Sequence, residues 1–115
     1  MILKGLAGLL VVAGVLLLAS APSSALPTGD AAAGKEIYLK KCKTCHAEDG
    51  HGNEGMAKLL KTTITPLDSD EVQKMSDADI KKVITEGKDK MKPVAGLNDT
   101  DISNVIAYVR SMKKK

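Results

Sequence analysis

The chain has 115 residues, two cysteines, two tyrosines, no Phe and no Trp, with a formal net charge of +3. That length suits a single domain, and so small a charge does not mark a nucleic-acid binder. Two cysteines cannot staple a disulfide scaffold.

Lys4 gives a short positive region, and Leu6 to Ala19 is an apolar run interrupted only by Gly8 and Gly14. Small residues follow, ending in Ser23-Ser24-Ala25, so the pattern predicts a secretory signal over 1–25 with cleavage after Ala25. Cleavage after Ala21 would place Pro22 at the first mature position. An uncleaved anchor is the competing reading, but the apolar run falls short of the ~20 residues a spanning helix needs. No cysteine lies near the cleavage site, which excludes a lipidated N-terminus. The remaining residues, 26–115, form one domain. At roughly 90 residues it buries only about 60–65% of its unfolded surface. With large aromatic side chains nearly absent, its core needs a staple.

The first predicted helix runs from Ala31 to about Lys41, with Asp30 as its N-cap and Gly34, Ile37 and Tyr38 on one face. Cys42-Lys43-Thr44-Cys45-His46 follows directly. This is the c-type haem attachment pattern. Each thiol forms a thioether with one haem vinyl group, and the adjacent histidine supplies the proximal nitrogen to the iron. A Cys42–Cys45 disulfide would leave His46 without a role. A zinc site from Cys42, Cys45, His46 and His51 has the wrong spacing, because zinc folds separate their ligand pairs by about a dozen residues. A thioredoxin-like dithiol needs a βαβ context that the chain lacks.

On this motif the sequence resembles the class I cytochromes c, the small monohaem electron carriers, over residues 30 to 112. The resemblance implies an all-α cytochrome c fold: three to five short helices wrapped around one covalently bound haem, with the N- and C-terminal helices crossing. It also implies haem c attached outside the cytoplasm, in agreement with the signal. A covalently fused porphyrin supplies the missing apolar core, so the apoprotein is expected to fold poorly.

Gly50, Gly52 and Gly55 permit a tight loop after the motif, Met56 to Lys61 suits a short helix, and a further turn fits Asp70 to Met75. Ser76 caps the next helix, with Met75 before it and Asp79 at the third helical position, a capping box with a hydrophobic staple. Ile80, Val83 and Ile84 form its apolar stripe, and Gly87 ends it. The last helix repeats the grammar with Leu97, Asn98 as cap, Asp101 and Ile102. Its stripe is Ile102, Val105, Ile106, Val109 and Met112. Arg110 and Lys113 to Lys115 complement its dipole. No strand pattern of useful length is present. Gly34 offers a notch for close approach, and Gly34, Tyr38 and Tyr108 match the residues at which the family crosses its terminal helices. Tyr108 is expected to lie over the notch.

The candidates for a sixth iron ligand are Met56, Met75, Met91, Met112 and His51. Met75 and Met112 already have core or staple positions, and His51 lies too close to His46 to reach the opposite face. Met91 sits in an irregular loop among Lys88, Lys90 and Lys92, with Pro93 stiffening the path. It is assigned as the distal ligand, with Met56 in reserve and a vacancy as the third option. The family places its distal methionine here, usually followed directly by proline, whereas this chain interposes Lys92. The family also has a proline soon after the motif whose carbonyl accepts from the proximal histidine. No proline occurs between His46 and Pro66, and Met56-Ala57-Lys58 is expected to supply that carbonyl instead.

The resulting expectation is a one-electron shuttle, a monomer and not an enzyme, exported to the periplasm or an equivalent compartment. The alternative is a haem protein with an open or labile distal site, a peroxidase or gas binder. Lys40, Lys41 and Lys43 flank the proximal motif, Lys88, Lys90 and Lys92 flank Met91, and acidic residues gather between Asp68 and Asp79. Such a lysine rim suits redox partners with acidic docking surfaces; respiratory and photosynthetic partners are equally compatible. N-terminal sequencing of the secreted protein should begin at Leu26, and a chain starting at Met1 would identify the segment as a retained anchor.

Overall fold

The computed structural model describes residues 29–115 together with Ala13 and Gly14. Apart from those two residues, the predicted signal segment lies outside the described part. Six helices follow in order: α1 Ala31–Lys41, α2 Lys43–His46, α3 Glu54–Leu60, α4 Asp70–Gln73, α5 Asp77–Glu86 and α6 Asp99–Ser111. The four longer ones fall within the expected three to five, and α2 and α4 are single turns. Among the described residues the only extended pairing is one bridge between Lys88 and Met91. No described helix is long and apolar enough to cross a membrane. The fold is all-α.

The helix starts follow local chemistry. The Asp30 carboxylate accepts from the amides of Ala32 at 2.9 Å and Ala33 at 3.4 Å. Asn98 and Asp101 exchange reciprocal bonds of 2.8 and 3.1 Å, a complete capping box at α6. At α5 only the forward half is present, from the Asp79 amide to Ser76 Oγ at 3.0 Å. An aspartate, one methylene shorter than glutamate, reaches back at one cap and not at the other.

The core is a narrow seam. Ile102, Val105, Ile106 and Val109 on α6 pack with Ile80 and Ile84 of α5, flanked by Ile37, Leu67, Val72, Met75, Val94 and Leu97. Each fully buried aliphatic side chain contributes about 1.5–3 kcal/mol. Met112, at the end of the predicted stripe, is half-buried and serves as C-cap. Polar bonds tie α4 and α5 to the same helix. Gln73 Nε2 donates to the carbonyls of Leu67 and Val109 at 2.8 and 2.9 Å. The Arg110 guanidinium donates to the carbonyls of Gln73 and Met75 and to Asp77 Oδ1. Arg110 therefore does more than complement the dipole: it bolts α6 to the α4–α5 junction.

The terminal helices cross as expected, through a different contact. A Cβ on Gly34 would collide with the Asn104 carbonyl, and one on Gly29 with the Ser103 carbonyl. Backbone, not Tyr108, fills the Gly34 notch. Tyr108 packs one turn further on, edge-on to Tyr38 with ring centroids 5.2 Å apart. Asn104 Oδ1 also accepts from the Asp30 amide at 2.8 Å. Gly34→Ala should therefore force α1 from α6 and destabilise the holoprotein by about 1–3 kcal/mol in urea unfolding. Gly55→Ala, whose added carbon meets only the Asn53 side chain, should stay within about 0.5 kcal/mol.

Candidate haem site

The end of α1 runs straight into the motif. The Cys42 amide donates to the Tyr38 carbonyl at 2.8 Å and the His46 amide to the Cys42 carbonyl at 3.0 Å. Cys42 thus closes α1 and opens the single turn of α2. Helical spacing of three and four residues places the side chains of Cys42, Cys45 and His46 on one face of that turn.

Three bonds hold the turn from behind. The Tyr38 hydroxyl donates to the Ala47 carbonyl at 2.5 Å. The Gly52 amide donates to the His46 carbonyl and the Asn53 amide to the Cys45 carbonyl, each at 2.8 Å. Asn53 then caps α3 through its side chain, which accepts from the Met56 amide at 3.1 Å. Ala47 leaves the turn at φ 64°, a left-handed value that a non-glycine residue adopts only when its surroundings hold it. Burial, with smaller contributions from Cys42, Tyr108 and Asp49, raises the Tyr38 phenol far above its ordinary range, so it stays a donor.

Cys42 and Cys45 are free, half-buried thiols. Burial first, then Cys45, pushes the Cys42 thiol up to about 11. Reactive dithiols work through a lowered thiol pKa, and the Cys42 shift runs the other way. Burial also lowers the His46 imidazole below its ordinary value, favouring the neutral form. His46 Nδ1 is buried without a hydrogen-bond partner among the described residues. The expected carbonyl from Met56-Ala57-Lys58 does not reach it: α3 uses that stretch for its own ladder, with the Ala57 carbonyl accepting from Lys61 and Thr62. An imidazole with a buried, unpartnered nitrogen, beside two free thiols on one face, fits covalently held haem. Leu59, 73% exposed on α3, leaves apolar surface free for contact.

Met91 lies in a pinned loop. The amides of Lys88 and Met91 each donate to the other's carbonyl, at 2.9 and 2.8 Å. Gly87 holds φ 80°, and a Cβ there would come within 2.5 Å of the Met91 carbonyl and 3.0 Å of Pro93 Cδ. The Val94 amide, donating to the Ile84 carbonyl at 2.8 Å, returns the loop to α5. Met91 is half-buried although its lysine neighbours are exposed. Met75 packs on the core, and the Met112 sulfur lies against Gly50. Met56 is half-buried on α3. His51 points elsewhere, between Asp49 and Asp68. Nothing in the local sequence pattern announces the clamps from Gly52 and Asn53, although Asn53 before Glu54 is a recognisable cap signal.

The family described as cytochrome c oxidase, cbb3-type, subunit III, matches residues 29–109. The chain belongs to that family and is a class I c-type cytochrome. Its cofactor is covalently bound haem c. This cytochrome is 34% identical to cytochrome c-554(547) of Halothiobacillus neapolitanus over 95 residues, covering 74% of this chain and 99% of that one. It is 33% identical to cytochrome c6 of Leptolyngbya boryana over 87 residues, covering 75% of this chain and 96% of that one. Among solved structures, the c-type cytochrome KustC0563 superposes with a TM-score of 0.61 at 32% identity, covering 70% of this chain and 98% of that chain.

Proposed function

We propose that this cytochrome is a one-electron carrier in which Cys42 and Cys45 bind haem c through thioethers, His46 ligates the iron proximally and Met91 distally. One observation carries the reading: a half-buried imidazole whose Nδ1 is buried and unpartnered shares a helical face with two free thiols. The pinned, half-buried Met91 supports the distal assignment. When bound, haem c supplies an iron that accepts and returns a single electron.

The protein's own groups set the terms. Burial lowers the His46 pKa and so favours the neutral form, which offers a lone pair to a metal. The Met91 thioether is a soft donor that favours ferrous iron and raises the reduction potential. Were His46 and Met91 both to hold the iron, no position would be left for a substrate. His51, the other histidine, is engaged by two carboxylates. The arrangement suits electron transfer without bond-making. Residues 1–25 act as an export signal and place the mature carrier in the periplasm or an equivalent compartment, where thioethers are made.

Lys40, Lys41, Lys43, Lys88, Lys90 and Lys92 are all exposed. They flank in sequence the segments that carry His46 and Met91, where they would steer an acidic redox partner toward the haem.

Met91→Ala should abolish the near-infrared sulfur-to-iron band of the ferric protein and lower the reduction potential, while Met56→Ala leaves both in place. Loss of the band in the Met56 variant instead would move the distal ligand to α3, and its absence from the native protein would indicate an open site. Electron transfer to an acidic acceptor should slow as ionic strength rises and the Debye length shrinks from about 30 Å at 0.01 M to about 8 Å at 0.15 M. Replacing Lys43, Lys90 and Lys92 by Gln should flatten that dependence, measured by stopped-flow kinetics, and rates indifferent to both changes would remove the steering role.

A further inference from the structure

We propose that His51 is a proton-operated latch: in its charged form it clamps the loop behind the 42–46 turn to the segment ahead of α4, and it releases that loop as pH rises. Both ring nitrogens face carboxylates. Nδ1 lies 3.2 Å from Asp49 Oδ2 and Nε2 lies 2.8 Å from Asp68 Oδ2. A neutral imidazole has one N–H and turns a lone pair toward one of these carboxylates, whereas the imidazolium hydrogen-bonds Asp68 through Nε2 and keeps its second N–H in ion-pair range of Asp49. Only the charged form therefore presents an N–H on both sides.

The position of the cluster gives the latch its leverage. The His51 amide donates to Asp49 Oδ1 at 2.9 Å, closing the loop on itself. The Leu67 amide donates to the Gly50 carbonyl at 2.9 Å, so the two segments that the imidazolium bridges already touch. One and two residues further on, the amides of Gly52 and Asn53 hold the carbonyls of His46 and Cys45. Loosening at His51 is felt first at those two clamps. The remaining charge facing the pair comes from the end of α6, where Lys114 Nζ lies 3.7 Å from Asp68 Oδ2. A surface recess of about 260 Å³ lined by Asp68, Ser69, Asp70, Lys113 and Lys114 gives water access to the cluster.

The direction of the pH dependence follows from the partners. The Asp68 hydrogen bond, then the Asp49 and Asp68 charges, raise the His51 pKa, against smaller opposing effects of desolvation and Lys114. A raised folded-state value means that the stabilisation is fully present below the unfolded value of about 6.5 and is lost as pH climbs through the folded one. His51 in turn lowers the Asp68 pKa, so that contribution is present above the ordinary carboxylate value of about 3.9 and fails only as pH falls through the lower folded one. The latch is closed between those two limits. His51 is half exposed and solvent screens it, so the effect is modest.

Hydrogen exchange on the haem-loaded protein, corrected for intrinsic rates, tests the latch. Between about pH 6 and pH 9 the protection of the Gly52 and Asn53 amides should fall roughly two- to five-fold, the size an exposed ion pair supports. His51→Gln and Asp68→Asn should remove that pH dependence and leave the haem spectrum unchanged. An NMR titration of the His51 ring in the native protein should give a midpoint above the ordinary histidine value, a readout that needs no variant. A midpoint at or below that value would overturn the proposal, as would an equal pH slope in the native protein and both variants. The readout lies at backbone amides and a histidine ring, so it stands whichever side chain completes the distal side.

Discussion

Tyr38 links the crossing of the terminal helices to the site. It is 1% exposed, packs edge-on to Tyr108 of α6, and hands its hydroxyl to the Ala47 carbonyl at the end of the motif turn. It can do so because Gly34, one turn earlier on α1, lets the Asn104 backbone come into contact. A side chain at that point would lift α1 from α6 and carry Tyr38 with it. The orientation of Cys42, Cys45 and His46 is thus a consequence of a helix crossing on which none of the three directly takes part.

The distal candidate depends on the same helix by another route. α5 packs on α6 through Ile80 and Ile84, and Arg110 and Gln73 fasten the α4–α5 junction to it. The loop bearing Met91 then leaves α5 at Gly87 and returns to it through Val94. Both sets of proposed iron ligands therefore hang from one scaffold, α6, with short internal bonds around each. A carrier that changes only its charge benefits from side chains that are held in place before and after the event. The apolar seam is small, few aliphatic residues meet each other, and Leu59 on α3 is left exposed.

Electrostatics divides the surface in a related way. The lysines flanking the 42–46 motif and Met91 are exposed and unburdened by core packing, whereas Asp68 is almost buried and engaged by His51 and Lys114. Acidic groups near the helix starts are partly consumed as caps and ion pairs, such as Asp101 at Asn98 and Asp77 at Arg110. The positive rim is left without such internal partners nearby in sequence, apart from the long Lys43–Glu48 pair at 4.0 Å.

Read alone, the sequence determined the elements and their chemistry. Asp30, Ser76 and Asn98 announce their helices because capping is a contact within one turn, and the period of Ile102, Val105, Ile106 and Val109 names the buried face of α6. The motif at 42–46 names the cofactor because thioether attachment and ligation depend on spacing over one helical turn. Only the tertiary structure decided what the notch at Gly34 receives, what Arg110 and Gln73 hold, and why His51 faces two carboxylates. It also left His46 Nδ1 without the carbonyl expected from Met56-Ala57-Lys58, which α3 keeps for its own hydrogen bonds. The long-range hydrogen bonds among them join residues 17 to 37 positions apart, and the notch brings Gly34 to Asn104. Pairings at such range have no signature in local periodicity; they are selected by which helix faces are buried together.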